Sequence, residues 1–329
     1  EKLRQVAPAH SRALQEVGHN FRDIGDMNKA LHFYTRATHI NPSLQASWKH
    51  QIDILLKFKR KEEASRLIPF LDRVIKMPKP LLAAMDHISQ GRLADAEDLC
   101  RDFLSKTPHH VEAMRLLAAI GIKLNVLHDA EFLLESALRL EPENAMLRVE
   151  HIEVLRKRQK IEKAHEGATR LLTEFPNNVH YASLFAVLCM QKGDYELALK
   201  NFDNVLAKIP GDPVTQTSKG HALKTLGKTE SAIKSYRSAT QNSLGYGEAW
   251  HSLANLKTFS FEEKDIKQMR EQLAGTDLKF MDRIYINFAL GKALEDRQEF
   301  SEAFKHYAAG NHAKKLQSRY KPEQITAEF

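Results

Sequence analysis

An alanine recurs along this chain at Ala30, Ala64, Ala96, Ala130, Ala164, Ala198 and Ala232, and every step is 34 residues except one of 32. A fixed period of this length decides the architecture. Each period is one supersecondary unit that cannot bury its apolar face alone, so neighbouring units must stack into an array. Prolines keep the same beat at Pro42, Pro78, Pro108, Pro142, Pro176 and Pro210.

The residues around each alanine explain the beat. In the first unit Leu14, Val17, Gly18 and Phe21 form the inner stripe of one helix, and Gly25-Asp26 breaks it. A second helix carries Ala30, Tyr34 and Ala37 on one face. Asn41-Pro42 ends it, because proline removes a donor and restricts its predecessor. The small residues let two antiparallel helices approach closely.

The 34-residue length and the order of bulky, small, aromatic, alanine and proline positions resemble the tetratricopeptide (TPR) repeat. The resemblance covers nearly the whole chain and implies an all-α fold, a right-handed TPR α-solenoid in which antiparallel helix pairs form a superhelix. Seven units are expected over residues 1–246, beginning near Ser11, Gln45, Met77, Val111, Ala145, Val179 and Pro213. Ile52 and Ile152 replace the small residue in their units. The third unit opens with Pro80 and is two residues early, so its first helix should be short or shifted.

Residues 247–329 depart from the rhythm. Trp250, Leu253 and Ala254 open an eighth unit that does not close normally, Phe259 to Leu273 reads as a separate helix started by Glu262 and Glu263, and Gly275-Thr276-Asp277 breaks it. A terminal helix pair follows, with Asn287, Leu290, Gly291 and Leu294 on one helix and Ala303, Phe304, Tyr307 and Gly310 on the next. The runs Glu248-Ala249-Trp250-His251-Ser252-Leu253-Ala254-Asn255-Leu256-Lys257, Phe288-Ala289-Leu290-Gly291-Lys292-Ala293-Leu294-Glu295-Asp296 and Tyr307-Ala308-Ala309-Gly310-Asn311 are similar to the junction of bacterial TPR-containing sulfotransferases. That resemblance implies a sulfotransferase domain, using the sulfate donor PAPS, beyond Phe329. No strand followed by a Gly/Ser/Thr-rich phosphate loop occurs within the chain, which would then end in a helix begun near Pro322.

No catalytic motif emerges from the residues that are present. There is no HExxH among the 16 histidines, His165 and Glu166 are neighbours on a helix and point apart, and His109-His110 falls in a turn where solvated side chains are expected. Cys100 and Cys189 fall on inward faces, where a free thiol packs as a small hydrophobe. No metal or cofactor is expected in this chain. The formal charge of +7 is spread without a run of five or more like charges or a basic stretch with interleaved aromatics, so nucleic acid is not expected as partner, and no apolar run approaches the roughly 18 residues needed to cross a bilayer, so neither is a membrane. A cytoplasmic location is the expectation.

Function is therefore expected on a surface. At 100° per residue the stripe opposite the buried one recurs at positions 2, 5, 9 and 12 of each unit, and in TPR arrays that stripe lines the concave groove. It begins polar with Arg12, Gln15, His19, Arg22, Lys49 and Asp53. From the third to the sixth unit it turns apolar through Leu81, Met85, Ile88, Ala119, Ile122, Met146, Val149, Val187 and Met190, interrupted by Arg115 and Arg156 with Lys123 and Lys157 at the adjacent edge, and Lys224 continues the basic character. A contiguous outward apolar stripe marks a contact site, so the expected occupant is a polypeptide with apolar anchors and acidic flanks. The chain's own further domain or a second copy of the chain, giving a homo-oligomer, are the other candidates. The expected role is a protein-interaction module, serving either a sulfotransferase or a stand-alone chaperone-type scaffold. A glycosyltransferase attachment would need an asparagine ladder, and the stripe has only Asn255. A chaperone-tail clamp is not supplied by Lys49 with Asp53.

Overall fold

The computed structural model describes residues 10–256, 258–275 and 278–318. Among them are eighteen α-helices and no strand. The chain forms two compact units, residues 1–160 and 161–329.

The first unit contains α1 (Ser11–Asp23), α2 (Met27–Ile40), α3 (Gln45–Lys57), α4 (Lys61–Lys76), α5 (Lys79–Ser89), α6 (Leu93–Lys106), α7 (Val111–Lys123), α8 (Leu127–Leu140) and α9 (Ala145–Lys157). Helices α1/α2, α3/α4, α5/α6 and α7/α8 pack as pairs, and α2/α3, α6/α7 and α8/α9 join one repeat to the next. The second unit contains α10 (Ile161–Glu174), α11 (Val179–Lys192), α12 (Tyr195–Lys208), α13 (Pro213–Thr225), α14 (Thr229–Asn242), α15 (Gly247–Ala254), α16 (Glu263–Ala274), α17 (Phe280–Asp296) and α18 (Phe300–Ser318). It repeats the same pairwise packing, except that the short α15 packs directly against α17, across the intervening α16. The irregular end is thus part of one packed body with the regular repeats from Ile161 onward. Packing and sequence period divide the chain differently.

The repeat alanines are the reason the pairs close. Ala30, Ala96, Ala130, Ala164, Ala198 and Ala232 are wholly buried and Ala64 is 1% exposed. Gly18, Gly220 and Gly291 play the matching role on the partner helix. A Cβ there would fall 2.7, 2.4 and 2.8 Å from the rings of Tyr34, Tyr236 and Tyr307, so only glycine admits the ring. Within each pair the connecting turn uses one left-handed residue. Glycine supplies it at Gly25, Gly91, Gly193 and Gly227, whereas Lys59, Asn125, Gln159 and Gln298 adopt φ near +60°, a conformation costing a side-chain-bearing residue about 1–2 kcal/mol.

Helix starts are capped locally. Asp26, Asn144, Asn178, Asp194 and Asp212 accept from backbone amides two or three residues on. His110 does the same. Its Nδ1 accepts from the Ala113 amide at 3.2 Å and its ring stands edge-on to Phe103, which corrects the reading of it as a solvated turn residue. Helix α16 begins on a capping box of Glu262 and Asp265. Asp265 is 1% exposed and accepts from Arg237 at 2.5 Å. Of the expected break after it, only Gly275 lies within the described residues, as does no part of the helix expected from Pro322.

The third repeat differs from expectation in register. Its first helix starts at Lys79, with Pro80 in the first turn, rather than near Met77. Counting from Lys79 moves Leu81, Ala84 and Met85 onto the inward stripe that Ala113, Leu116 and Leu117 occupy in α7. All six belong to one buried cluster.

Candidate polypeptide-binding groove

In the first unit the outward stripe begins with a polar group. Nδ1 of His19 lies 2.7 Å from the Tyr34 hydroxyl, and Arg22 reaches Nε2 of His50 at 2.8 Å and Asp23 at 2.9 Å. Burial, with Arg22 and His19 beside it, lowers the His50 pKa, so this imidazole favours its neutral form. Asp23 holds the Arg22 guanidinium above its ordinary value. Lys49 is exposed at the rim.

Met85 and Leu81 are not groove residues. Met85 is 8% exposed, Leu81 wholly buried, and Ile88 packs against the same cluster, because the two-residue shift of α5 turns these side chains inward. Ala83, His87 and Gln90 take the outward positions counted from Lys79. From α7 the expected stripe resumes. Ala119, Ile122, Met146 and Val149 are half-buried, with Ile122 leaning on the core beneath, and Lys123 and Lys157 are exposed at the edge.

The two arginines expected to recognise acidic flanks are already engaged. Arg115 donates to Glu112 and Glu150, each at 2.7 Å, and Glu112 also accepts from Arg73 of α4 at 2.5 Å. Burial disfavours the Arg115 charge, but the two carboxylates outweigh it and raise its pKa. Burial also pushes the Glu112 carboxyl up, yet Arg115 and Arg73 hold it below the usual range, whereas for Glu150 burial wins and the pKa rises. Arg73 further contacts the Met146 sulfur at 3.1 Å. Arg156 is paired with Glu153 at 2.7 Å. Glu112 and Glu153 stand three residues before their arginines and were visible in the sequence. Arg73 and Glu150 were not, because they arrive from other helices.

In the second unit Val187 and Met190 are half-buried on α11 and Lys224 is exposed on α13. His221 repeats the arrangement of His19, with its Nδ1 2.9 Å from the Tyr236 hydroxyl, and its Nε2 lies 3.6 Å from Glu248. The stripe ends in a recess of about 260 Å³ lined by His251, Ala254, Asn255, Phe288, Lys292 and Tyr307. The His251 ring faces Tyr285 at 5.1 Å, and burial lowers its pKa. The paired His and Tyr hydroxyl were missed by the sequence reading, although a Gly-His step fifteen residues before the tyrosine marks both.

Two other constellations resemble reactive sites. Cys189 Sγ lies 3.6 Å from His165 Nε2, but burial pushes the thiol up to about 11, opposite to what a nucleophile needs. Glu131, Glu135 and His151 bring three ligand-type atoms within 4.8 Å of one another, a grouping the sequence reading did not foresee. Arg158 and Lys160 both bind the Glu131 carboxylate, so its charge is neutralised by protein cations.

The repeat geometry agrees with comparisons to known proteins. Residues 99–215 match the family profile described as the cytochrome c-type biogenesis protein H TPR domain, and residues 215–243 match the tetratricopeptide repeat. The chain carries tetratricopeptide repeats. No curated protein sequence matches it. Among solved structures, the human IFIT1 dimer with PPP-AAAA is similar at 17% identity, covering 90% of this chain and 75% of that one, with a TM-score of 0.53. YrrB, described as a TPR protein with an unusual peptide-binding site, aligns at 20% identity over 53% of this chain and 89% of its own, with a TM-score of 0.45. MamA from Desulfovibrio magneticus RS-1 aligns at 12% identity over 50% and 96%, with a TM-score of 0.46. The IFIT1 likeness extends the TPR solenoid fold over most of the chain. Among the described residues no helix is long and apolar enough to cross a membrane.

Proposed function

We propose that this chain is a polypeptide-binding TPR module, and that its contact surface is the outward stripe of the first helices. One observation carries the reading. Within residues 1–160 Ala119, Ile122, Met146 and Val149 are half-buried and Lys123 and Lys157 are exposed, and within residues 161–329 Val187 and Met190 are half-buried and Lys224 is exposed. Apolar residues in a row can anchor a peptide, and methionines adapt to varied partners. The acid-pairing role falls to the lysines, since Arg115 and Arg156 already have carboxylate partners. The recess beside His251 and Phe288 offers a further anchor pocket.

The test is a peptide array probed with the chain and with Ile122→Asp, Met190→Asp and Lys123→Glu variants. Capture of apolar peptides with acidic flanks should fall about tenfold or more in the first two and weaken with added salt. An array pattern identical for wild type and all three variants would remove the groove from consideration.

We further infer that the partner is substrate for a sulfotransferase domain attached after residue 329, with PAPS as that domain's donor. The runs at 248–257, 288–296 and 307–311 support this reading. The alternative is a stand-alone scaffold. The two separate on whether the reading frame continues into a Gly/Ser/Thr-rich phosphate loop. The PPP-AAAA ligand of human IFIT1 is not carried over, because the stripe arginines here are spent on internal carboxylates.

A further inference from the structure

The position four residues after the repeat alanine is buried throughout the array, with one exception. Tyr34, Cys100, Leu134, Phe202 and Tyr236 are wholly buried there and Ala168 is 1% exposed, but Ile68 of α4 is 45% exposed. Eight residues after the alanine Thr38 and Thr240 are 3% and 1% exposed, whereas Asp72 is exposed; one turn further on Ile75 is 54% exposed, in line with Phe175 and Ile209 at 39% and 43% in other repeats.

What covers this face elsewhere is the first helix of the following repeat. Tyr34 packs with Ile54 of α3, Gln51 of α3 donates to Thr38 at 3.0 Å, Leu134 packs with Leu147 and Val154 of α9, and Cys100 packs with Ala113 and Leu116 of α7. Helix α5 does not do this for α4. Its apolar stripe goes to α6 and α7, and its Asp86 binds Arg12 at 2.8 Å and Asn41 at 2.7 Å in the first repeat. Of its apolar residues helix α4 accordingly buries Ala64, Val74 and, in part, Leu67 and Leu71.

At 100° per residue Lys61, Ser65, Ile68, Asp72, Ile75 and Lys76 fall on one uncovered face, and all six are exposed. Two isoleucines lie inside it and a lysine stands at each end, about 22 Å apart. We propose that this face of α4 is a docking site for an amphipathic α-helix of a partner protein. The partner helix carries an apolar stripe over Ile68 and Ile75, acidic residues opposite Lys61 and Lys76, and a basic or hydroxyl residue opposite Asp72. A helix fits because a helix occupies the equivalent face at the other junctions, and the terminal lysines set its charge. This site is separate from the groove and does not depend on it.

The probe is a fluorescent, hydrocarbon-stapled amphipathic helix with leucines on one face, glutamates at the two ends of that face and a central serine, titrated against the whole chain. A twin with terminal lysines serves as control. The acidic helix should bind at least about tenfold tighter than its twin, and Ile68→Asp, Ile75→Asp and the double Lys61→Glu/Lys76→Glu variant should each lose about tenfold or more. Met190→Asp should leave this binding unchanged while impairing the groove, so the two sites fail independently. Both isoleucines are exposed, and an unchanged melting temperature confirms that each variant is folded. Equal affinity of wild type and Ile68→Asp overturns the proposal. So does concentration-dependent self-association that Ile68→Asp abolishes, which would assign the face to a second copy of the chain.

Discussion

The Tyr236 hydroxyl lies 2.9 Å from Nδ1 of His221, and the Tyr34 hydroxyl stands 2.7 Å from Nδ1 of His19 six repeats earlier in the sequence. Each tyrosine is wholly buried against a glycine and ends on an outward-stripe histidine, so one side chain ties the core to the surface. Burial pushes the Tyr236 phenol up to about 12, so it stays protonated well above neutral pH.

Gly220→Ala should therefore be costly. Its Cβ would stand 2.4 Å from the Tyr236 ring, and overpacking of this kind costs about 1–3 kcal/mol. Denaturant unfolding should show that loss, and Tyr236→Leu in the same chain should recover part of it. Tyr236→Phe, which removes only the hydroxyl, should cost about 1 kcal/mol.

The carboxylates around Arg115 predict opposite responses. Glu112 has a depressed folded pKa, so its contribution is present above the unfolded value of about 4.3 and is lost as pH falls through the folded pKa. Glu150 has a raised folded pKa, so its charge opposes folding at neutral pH and protonation relieves it. Glu112→Gln should lower the melting temperature at pH 7, while Glu150→Gln should not. Arg115→Ala, which leaves the largely buried Glu150 without its cation and Glu112 with Arg73 alone, should cost about 3–5 kcal/mol.

Met85 and Met190 separate stability from binding. Met85→Asp places an unpaired charge in a packed cluster and should cost more than about 4 kcal/mol, visible as a collapsed thermal transition. Met190→Asp on the half-buried stripe should leave the melting temperature near that of wild type and lower peptide capture alone.

Cys189 should resist thiol reagents. With its pKa pushed up to about 11 by burial, little thiolate exists at pH 8. Disulfide-exchange labelling followed spectroscopically should be slow in buffer and fast in denaturant. His165→Ala should not slow it further.

Lys59 occupies a left-handed turn position with φ of 59°. Lys59→Gly should raise stability by about 1 kcal/mol, and Gly193→Ala at the equivalent turn should lower it by a similar amount. Chemical denaturation of the two variants checks the sign.

Much of the repeat was legible from local pattern. The alanine period, the glycine-aromatic pairing and the proline stops dictate antiparallel helix pairs because they act between residues close in sequence, and Asp26, Asn144 and Asp212 cap their helices for the same reason. The capped turn residue His110 was misread because its acceptor role needs the geometry of the Ala113 amide. The outward face of the first helices was legible wherever the 34-residue count held and was misplaced at α5, where a two-residue slip rotates a helix by roughly 200° and carries Met85 and Leu81 from the outward face to the core.

What the sequence determined on its own is thus the TPR architecture and the position of the outward stripe in the regular repeats, since 3.6-residue periodicity and close small-residue contact leave helices few ways to stack. Tertiary structure alone decided which charges on that stripe remain available and which helix face is left uncovered. Arg115 meets Glu150 from α9, Glu112 meets Arg73 from α4, and α5 turns away from Ile68. Such contacts join residues far apart in the chain, and no local period encodes them.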